Sequence, residues 1–125
     1  MSLFEDILDS RTINLTTIRK SGTLVHTPVW VIKDGNIGYV RTSKSAGKIK
    51  RLKNNHKAFI SPCTNFGKVT GDKIEIKAEV LELNREEYDE ISNKLKKKYS
   101  ILYILTNVFR RASYKNTQII ILKEK

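Results

Sequence analysis

TINLTTIRKSGTLVHTPVWVIKDGNIGYVRT, residues 12–42, reads as two hairpins in a row. From Thr12 to Arg19 the chain alternates, with Ile13, Leu15 and Thr17 on one side and Asn14, Thr16 and Ile18 on the other. Its β-branched content favours a strand over a helix. Lys20-Ser21-Gly22 supplies turn residues, and a long strand, Thr23–Lys33, follows. Val25, Thr27, Val29 and Val31 share one face of it, and Leu24, His26, Pro28 and Trp30 share the other. Pro28 has no N–H to give to a ladder, so this stretch is expected at a sheet edge or a bulge. Asp34-Gly35 closes the second hairpin into Ile37–Thr42.

Working outward, Leu3, Phe4, Ile7 and Leu8 form the apolar face of a short helix over 3–9, with Ser2 and Glu5 as its capping box. Gly47–Asn55 reads as a helix that buries Ile49 and Leu52 and keeps Lys48, Lys50, Arg51 and Lys53 outside. Strands are expected at Lys57–Thr64 and Lys68–Thr70, before the turn Gly71-Asp72. Ile74, Ile76, Ala78 and Val80 then alternate inward, while Leu81 and Leu83 continue in the opposite phase, which suggests a β-bulge. Asn84 and Glu87 cap a helix over Arg85–Tyr99 whose acids come first and lysines last, as the macrodipole prefers. A second helical stripe runs through Ile101, Ile104, Leu105, Val108 and Phe109, and Thr117–Lys123 is an apolar strand. Hairpins dominate, so the expected class is mainly β (α+β), an antiparallel barrel of about six strands with peripheral helices.

A chain of 125 residues has room for one domain and one modest core, so 1–125 is read as one unit. No apolar run approaches the ~20 residues that a bilayer-spanning helix needs. Acid at Glu5 and Asp6 stands where a secretory leader would be basic, and Cys63 has no second cysteine to pair with. A cytoplasmic location and no membrane partner are the expectation. His26, His56 and Cys63 are the only soft ligands and lack any motif spacing, so no metal site is expected. Cys63 reads as a small core filler rather than a nucleophile. Trp30 and Tyr39 could stack on a flat ligand or pack as core, and periodicity favours core.

Lysine and arginine number 24 against 13 acids, a net charge of +11, which favours anionic partners. Lys94, Lys96, Lys97 and Lys98 at one helix end, with Lys123 and Lys125, read as solvated surface. The segment from Thr42 to Arg51 is more specific. A strand ends in hydroxyl residues and a glycine opens a helix, where free N–H groups and the positive dipole end meet. Ser45, Lys48 and Arg51 recur every third residue on a face distinct from that of Ile49 and Leu52. A hydroxyl, an ammonium and a guanidinium converging on a helix start suit a phosphate. No Walker or GxGxxG pattern accompanies them.

Leu15-Thr16-Thr17-Ile18-Arg19, Gly22, His26-Thr27-Pro28-Val29-Trp30-Val31, Tyr39-Val40-Arg41-Thr42, Ser45, Gly47-Lys48-Ile49-Lys50-Arg51-Leu52 and Pro62-Cys63 together resemble the pyridoxamine-phosphate-oxidase-like flavoprotein family. Gly67, Thr70-Gly71, Ala78 and Lys98-Tyr99 extend the resemblance over nearly the whole chain, toward the deazaflavin-dependent branch. Departures are Asn55-His56, where many relatives have Asn-Pro, and Ala46, where many have arginine. The resemblance implies a split β-barrel homodimer with FMN or the deazaflavin F420 in a groove between subunits. It implies that Thr42, Ser45, Lys48 and Arg51 hold the cofactor phosphate, and that the ring lies along Thr27, Pro28, Val29 and Trp30. The family also includes haem-binding and non-catalytic members.

The expected function is therefore a flavin-type oxidoreductase moving a hydride to or from a small organic substrate, with no side chain acting as obligatory acid or base. The rival is a basic barrel that binds single-stranded nucleic acid, with Arg41, Lys44, Lys48, Lys50, Arg51 and Lys53 tracking phosphates and Trp30 and Tyr39 stacking on bases. It ranks second, because aromatics are only 8% of residues and no nucleic-acid motif is evident.

Overall fold

The computed structural model describes residues 3–43, 45–64, 66–98 and 117–125. In chain order these form α1 (Leu3–Leu8), β1 (Thr12–Ile18), β2 (Leu24–Val29), β3 (Ile32–Asp34), β4 (Ile37–Ser43), α2 (Gly47–Asn54), β5 (Lys57–Cys63), β6 (Ile74–Leu81), α3 (Arg85–Lys98) and β7 (Thr117–Glu124). The strands make one seven-stranded sheet in the order β2-β1-β5-β6-β7-β4-β3, and every pairing is antiparallel. Mainly β, antiparallel and flanked by helices, this is the expected class. The expected stripe from Ile101 to Phe109, Tyr99 and the Ser2 cap fall outside the described residues.

The two outer strands of the sheet, β2 and β3, are neighbours in sequence, joined only by Trp30 and Val31. Three Cα steps of about 3.8 Å cannot bridge a flat sheet of this width, so the sheet must curl until its edges meet. The single strand Thr23–Lys33 expected from sequence is thus two strands on opposite edges. Pro28 lies in β2, at the edge where a residue without an N–H is tolerated.

Inside the curl, Ile13, Leu15, Val40, Ile60, Ile120 and Leu122 are fully buried. Phe4, Ile7 and Leu8 of α1 and Ile49 and Leu52 of α2 join that core. Gly38 permits the α1 contact, because a Cβ there would come 2.8 Å from Leu8 Cδ2. A second cluster lies under α3, where Tyr88, Ile91 and Leu95 pack with Ile119, Trp30, Ile32, Tyr39, Leu81 and Leu83.

This second layer explains the phase change that suggested a bulge. The β6–β7 register runs unbroken from Ile76↔Glu124 to Leu81↔Ile119. Leu81 and Leu83 change phase because they serve the core outside the barrel, as Ile119 does beside inward Ile120. Lys68–Thr70 forms only an isolated bridge, Cys63↔Val69, rather than a strand. Asn84 and Glu87 exchange their capping bonds as expected: Glu87 N–H donates to Asn84 Oδ1 at 2.8 Å and Asn84 N–H to Glu87 Oε1 at 3.4 Å. Lys98 departs from the solvated surface assigned to it. Its Nζ donates to the carbonyls of Val31, Leu8 and Ser10 at 2.8, 3.3 and 3.3 Å, tying α3 to α1 and to the joint between the sheet edges.

Candidate functional site

Helix α2 packs on β1 and β6 with Ile49 and Leu52 inward, which leaves its other face to cations. Its N-cap residue, Ala46, is extended and offers no side-chain bond, and no acid stands in the first turn. Ile49 N–H turns back to the Ala46 carbonyl at 3.1 Å, and no side chain caps the N–H groups of Gly47 and Lys48 at the positive dipole end. Before them Ser43 Oγ and Ser45 Oγ lie 2.9 Å apart, both exposed.

Arg51 folds back toward this start. Its Nε donates to Thr17 Oγ1 at 2.6 Å, and Thr17 is buried in β1. One terminal nitrogen, Nη1, lies 2.7 Å from where a Cβ on Gly47 would sit, so the glycine leaves the space that the guanidinium uses. Burial, and then the neighbouring charge of Arg19, holds the Arg51 pKa below its usual value. Burial, and then Arg51, likewise lowers that of Lys48. Among the described residues no carboxylate pairs with Arg19, Lys48 or Arg51. Like charges packed without an acid raise one another's cost of ionisation, and a bound dianion removes that cost.

Two adjoining hollows, of about 290 and 550 Å³, open beside the cluster. Arg19, Lys20, Lys50, Arg51 and Asn54 line the first, and Lys20, Ser45, Lys50 and Lys53 are among those lining the second. Spacing along the helix sets Lys50 and Lys53 apart from the Ser45–Lys48–Arg51 face, but the hairpin turn at Arg19 and Lys20 brings them onto the same groove. Arg19, Lys20 and Thr17 are additions that helix spacing does not reveal.

Of the residues expected to hold a phosphate, Arg51 lines the first hollow and Ser45 the second, while Lys48 lines neither and is coupled to Arg51 by charge. Thr42 is buried in β4, opposite Gln118, and lines neither hollow. Along the expected ring strand, Thr27 is half-buried and pairs with Leu15, one pleat repeat of about 7 Å from the Val25↔Thr17 pair on the same face. Val29 belongs to the barrel core, and Trp30 packs with Tyr39 against the cluster under α3, as periodicity favoured. Pro28 is exposed on the outer face. Arg19 N–H donates to Thr23 C=O, so alternation turns the backbone of His26 and Pro28 off the sheet edge. Burial pushes the Cys63 thiol pKa up, which suits a filler rather than a nucleophile.

No protein-family model and no curated protein matches the sequence. Solved structures do match its shape. The fold is the pyridoxamine 5′-phosphate oxidase-like split barrel. A Listeria innocua protein provisionally named pyridoxamine 5′-phosphate oxidase is 15% identical, with a TM-score of 0.66 over 94% of this chain and 87% of that one. An F420 reductase is 17% identical, with a TM-score of 0.67 over 100% of this chain and 95% of that one. HutZ, the heme storage protein of Vibrio cholerae, is 12% identical, with a TM-score of 0.71 over 97% and 87%. At these identities the likeness is one of fold, and split barrels evidently serve more than one ligand chemistry.

Proposed function

We propose that this split barrel binds a flavin-type cofactor, FMN or F420, and works as an oxidoreductase that moves a hydride to or from a small organic substrate. The observation that carries the reading is that Arg19 and Arg51 meet in an open groove at the start of α2, with Lys48 charge-coupled to Arg51 and no acid paired with any of the three. That donor set fits a phosphate dianion. When bound, the cofactor ring supplies the hydride chemistry itself. Arg51 and Lys48 neutralise the phosphate, and Ser45 adds a hydroxyl bond, with Thr42 behind it at the end of β4. The β2 segment from Thr27 to Trp30 orients the ring, with the Pro28 carbonyl as the outward backbone group, since Thr27 and Val29 pair with β1. No side chain is asked to act as an acid or base.

A homodimer completes the reading. Leu24 at the start of β2 is exposed, and Phe66, on the loop after β5, is 97% exposed. Packing a second copy against these side chains about a two-fold axis covers both and leaves the β2 edge to the ring. Trp30 and Tyr39, packed under α3, are poor stacking platforms, which weakens the nucleic-acid alternative. Cys63 is a free thiol, in keeping with a cytoplasmic home. The test is fluorescence and absorbance titration with FMN and with F420, coupled to light scattering. One site per subunit of a dimer is expected, and no signal change with either cofactor at tens of micromolar overturns the reading.

A further inference from the structure

Arg51 is the one cation of the groove whose direction is set by other residues. An arginine on a helix surface is free to sample many rotamers, and ordering it costs entropy. Here it is also pressed toward Arg19 and Lys48, which should drive it outward. Two features hold it in. Thr17, only 1% exposed, accepts the Nε–H at 2.6 Å, and its backbone is held in β1 by pairing with Val25 of β2. Gly47, four residues earlier on α2, lacks the Cβ that would stand 2.7 Å from Nη1. With Nε committed to Thr17, the plane of the guanidinium is fixed and its two terminal nitrogens remain for a ligand.

We infer that Thr17 is a positioning residue: with the space left by Gly47, it holds the Arg51 guanidinium over the start of α2 so that its terminal nitrogens meet two oxygens of one phosphate. The inference rests on the phosphate reading above and adds a specific demand to it. A bidentate grip needs the guanidinium preset, whereas a charge that merely lies nearby does not. Thr17→Val keeps the shape and removes the acceptor, and Thr17→Ser restores it.

The experiment titrates the full chain with FMN and with F420, using whichever binds the wild type more tightly, alongside NMR of the Arg51 Nε–H. Thr17→Val is expected to weaken binding about five- to twentyfold, with a melting midpoint lowered by no more than a few degrees. Thr17→Ser should stay within about twofold of wild type. The Arg51 Nε–H should exchange slowly with solvent in wild type and Thr17→Ser, and quickly in Thr17→Val. Gly47→Ala gives a second route, since it raises helix propensity yet should weaken binding by crowding the guanidinium. It carries the test if Thr17→Val does not fold. Wild-type affinity in Thr17→Val and Gly47→Ala, with weakened binding in Arg51→Ala, overturns the positioning role and leaves the phosphate reading standing. Wild-type affinity in all of them overturns both.

Discussion

Arg51→Ala is expected to weaken cofactor binding about tenfold to a hundredfold, the range of one or two charge-assisted hydrogen bonds. Lys48→Ala should act in the same range, and the pair should fall short of additivity because each charge burdens the other. Stability should move much less. Arg51 makes one bond into the barrel wall, to Thr17, and its loss costs about 0.5–1.5 kcal/mol, set against the relief of crowding with Arg19 and Lys48. Lys50 and Lys53 line the groove and should show smaller losses, so they cannot serve as inert controls. Lys97→Ala on α3, exposed and away from α2, serves instead and should leave affinity unchanged. Isothermal titration across this set checks the ranking. Equal small effects from all of them would place the anion elsewhere.

Leu52→Ala should produce the largest loss of stability among changes on α2, about 2–5 kcal/mol by the cost of deleting buried methyl groups. Leu52 is fully buried in the barrel core, while Lys48 and Arg51 are only half-buried on the same helix. It is the anchor through which α2 presents the cations, so affinity should fall together with stability. Urea unfolding and cofactor titration on the same samples measure both. A variant as stable as wild type would mean that α2 is not seated on the core through Leu52.

What was legible in the sequence is what depends on local period. The alternation of β1, the Asn84–Glu87 capping box and the cation face of α2 each follow from spacing within a few residues. The break at Trp30 and Val31 is different. Apolar residues on both sides of it serve different cores, so no polar residue marks where one edge strand ends and the other begins. The same cause hid the role of Leu81 and Leu83, whose phase change reflects burial on the second face of an unslipped ladder. Lys98 shows the opposite failure. It belongs to a run of lysines that reads as surface, yet carbonyls of residues 8, 10 and 31 gather around it. At the candidate site, the helical spacing of Ser45, Lys48 and Arg51 singles out α2. Thr17, Arg19 and Lys20 join it only through tertiary packing, and no short-range pattern links residue 17 to residue 51.

Whether the start of α2 grips a phosphate is tested by comparing FMN with riboflavin, which carries the same ring without that group. FMN is expected to bind at least about a hundredfold more tightly, and the difference should shrink strongly in Arg51→Ala. Equal affinity for FMN and riboflavin, in wild type and in Arg51→Ala alike, would mean that no phosphate is held at the start of α2.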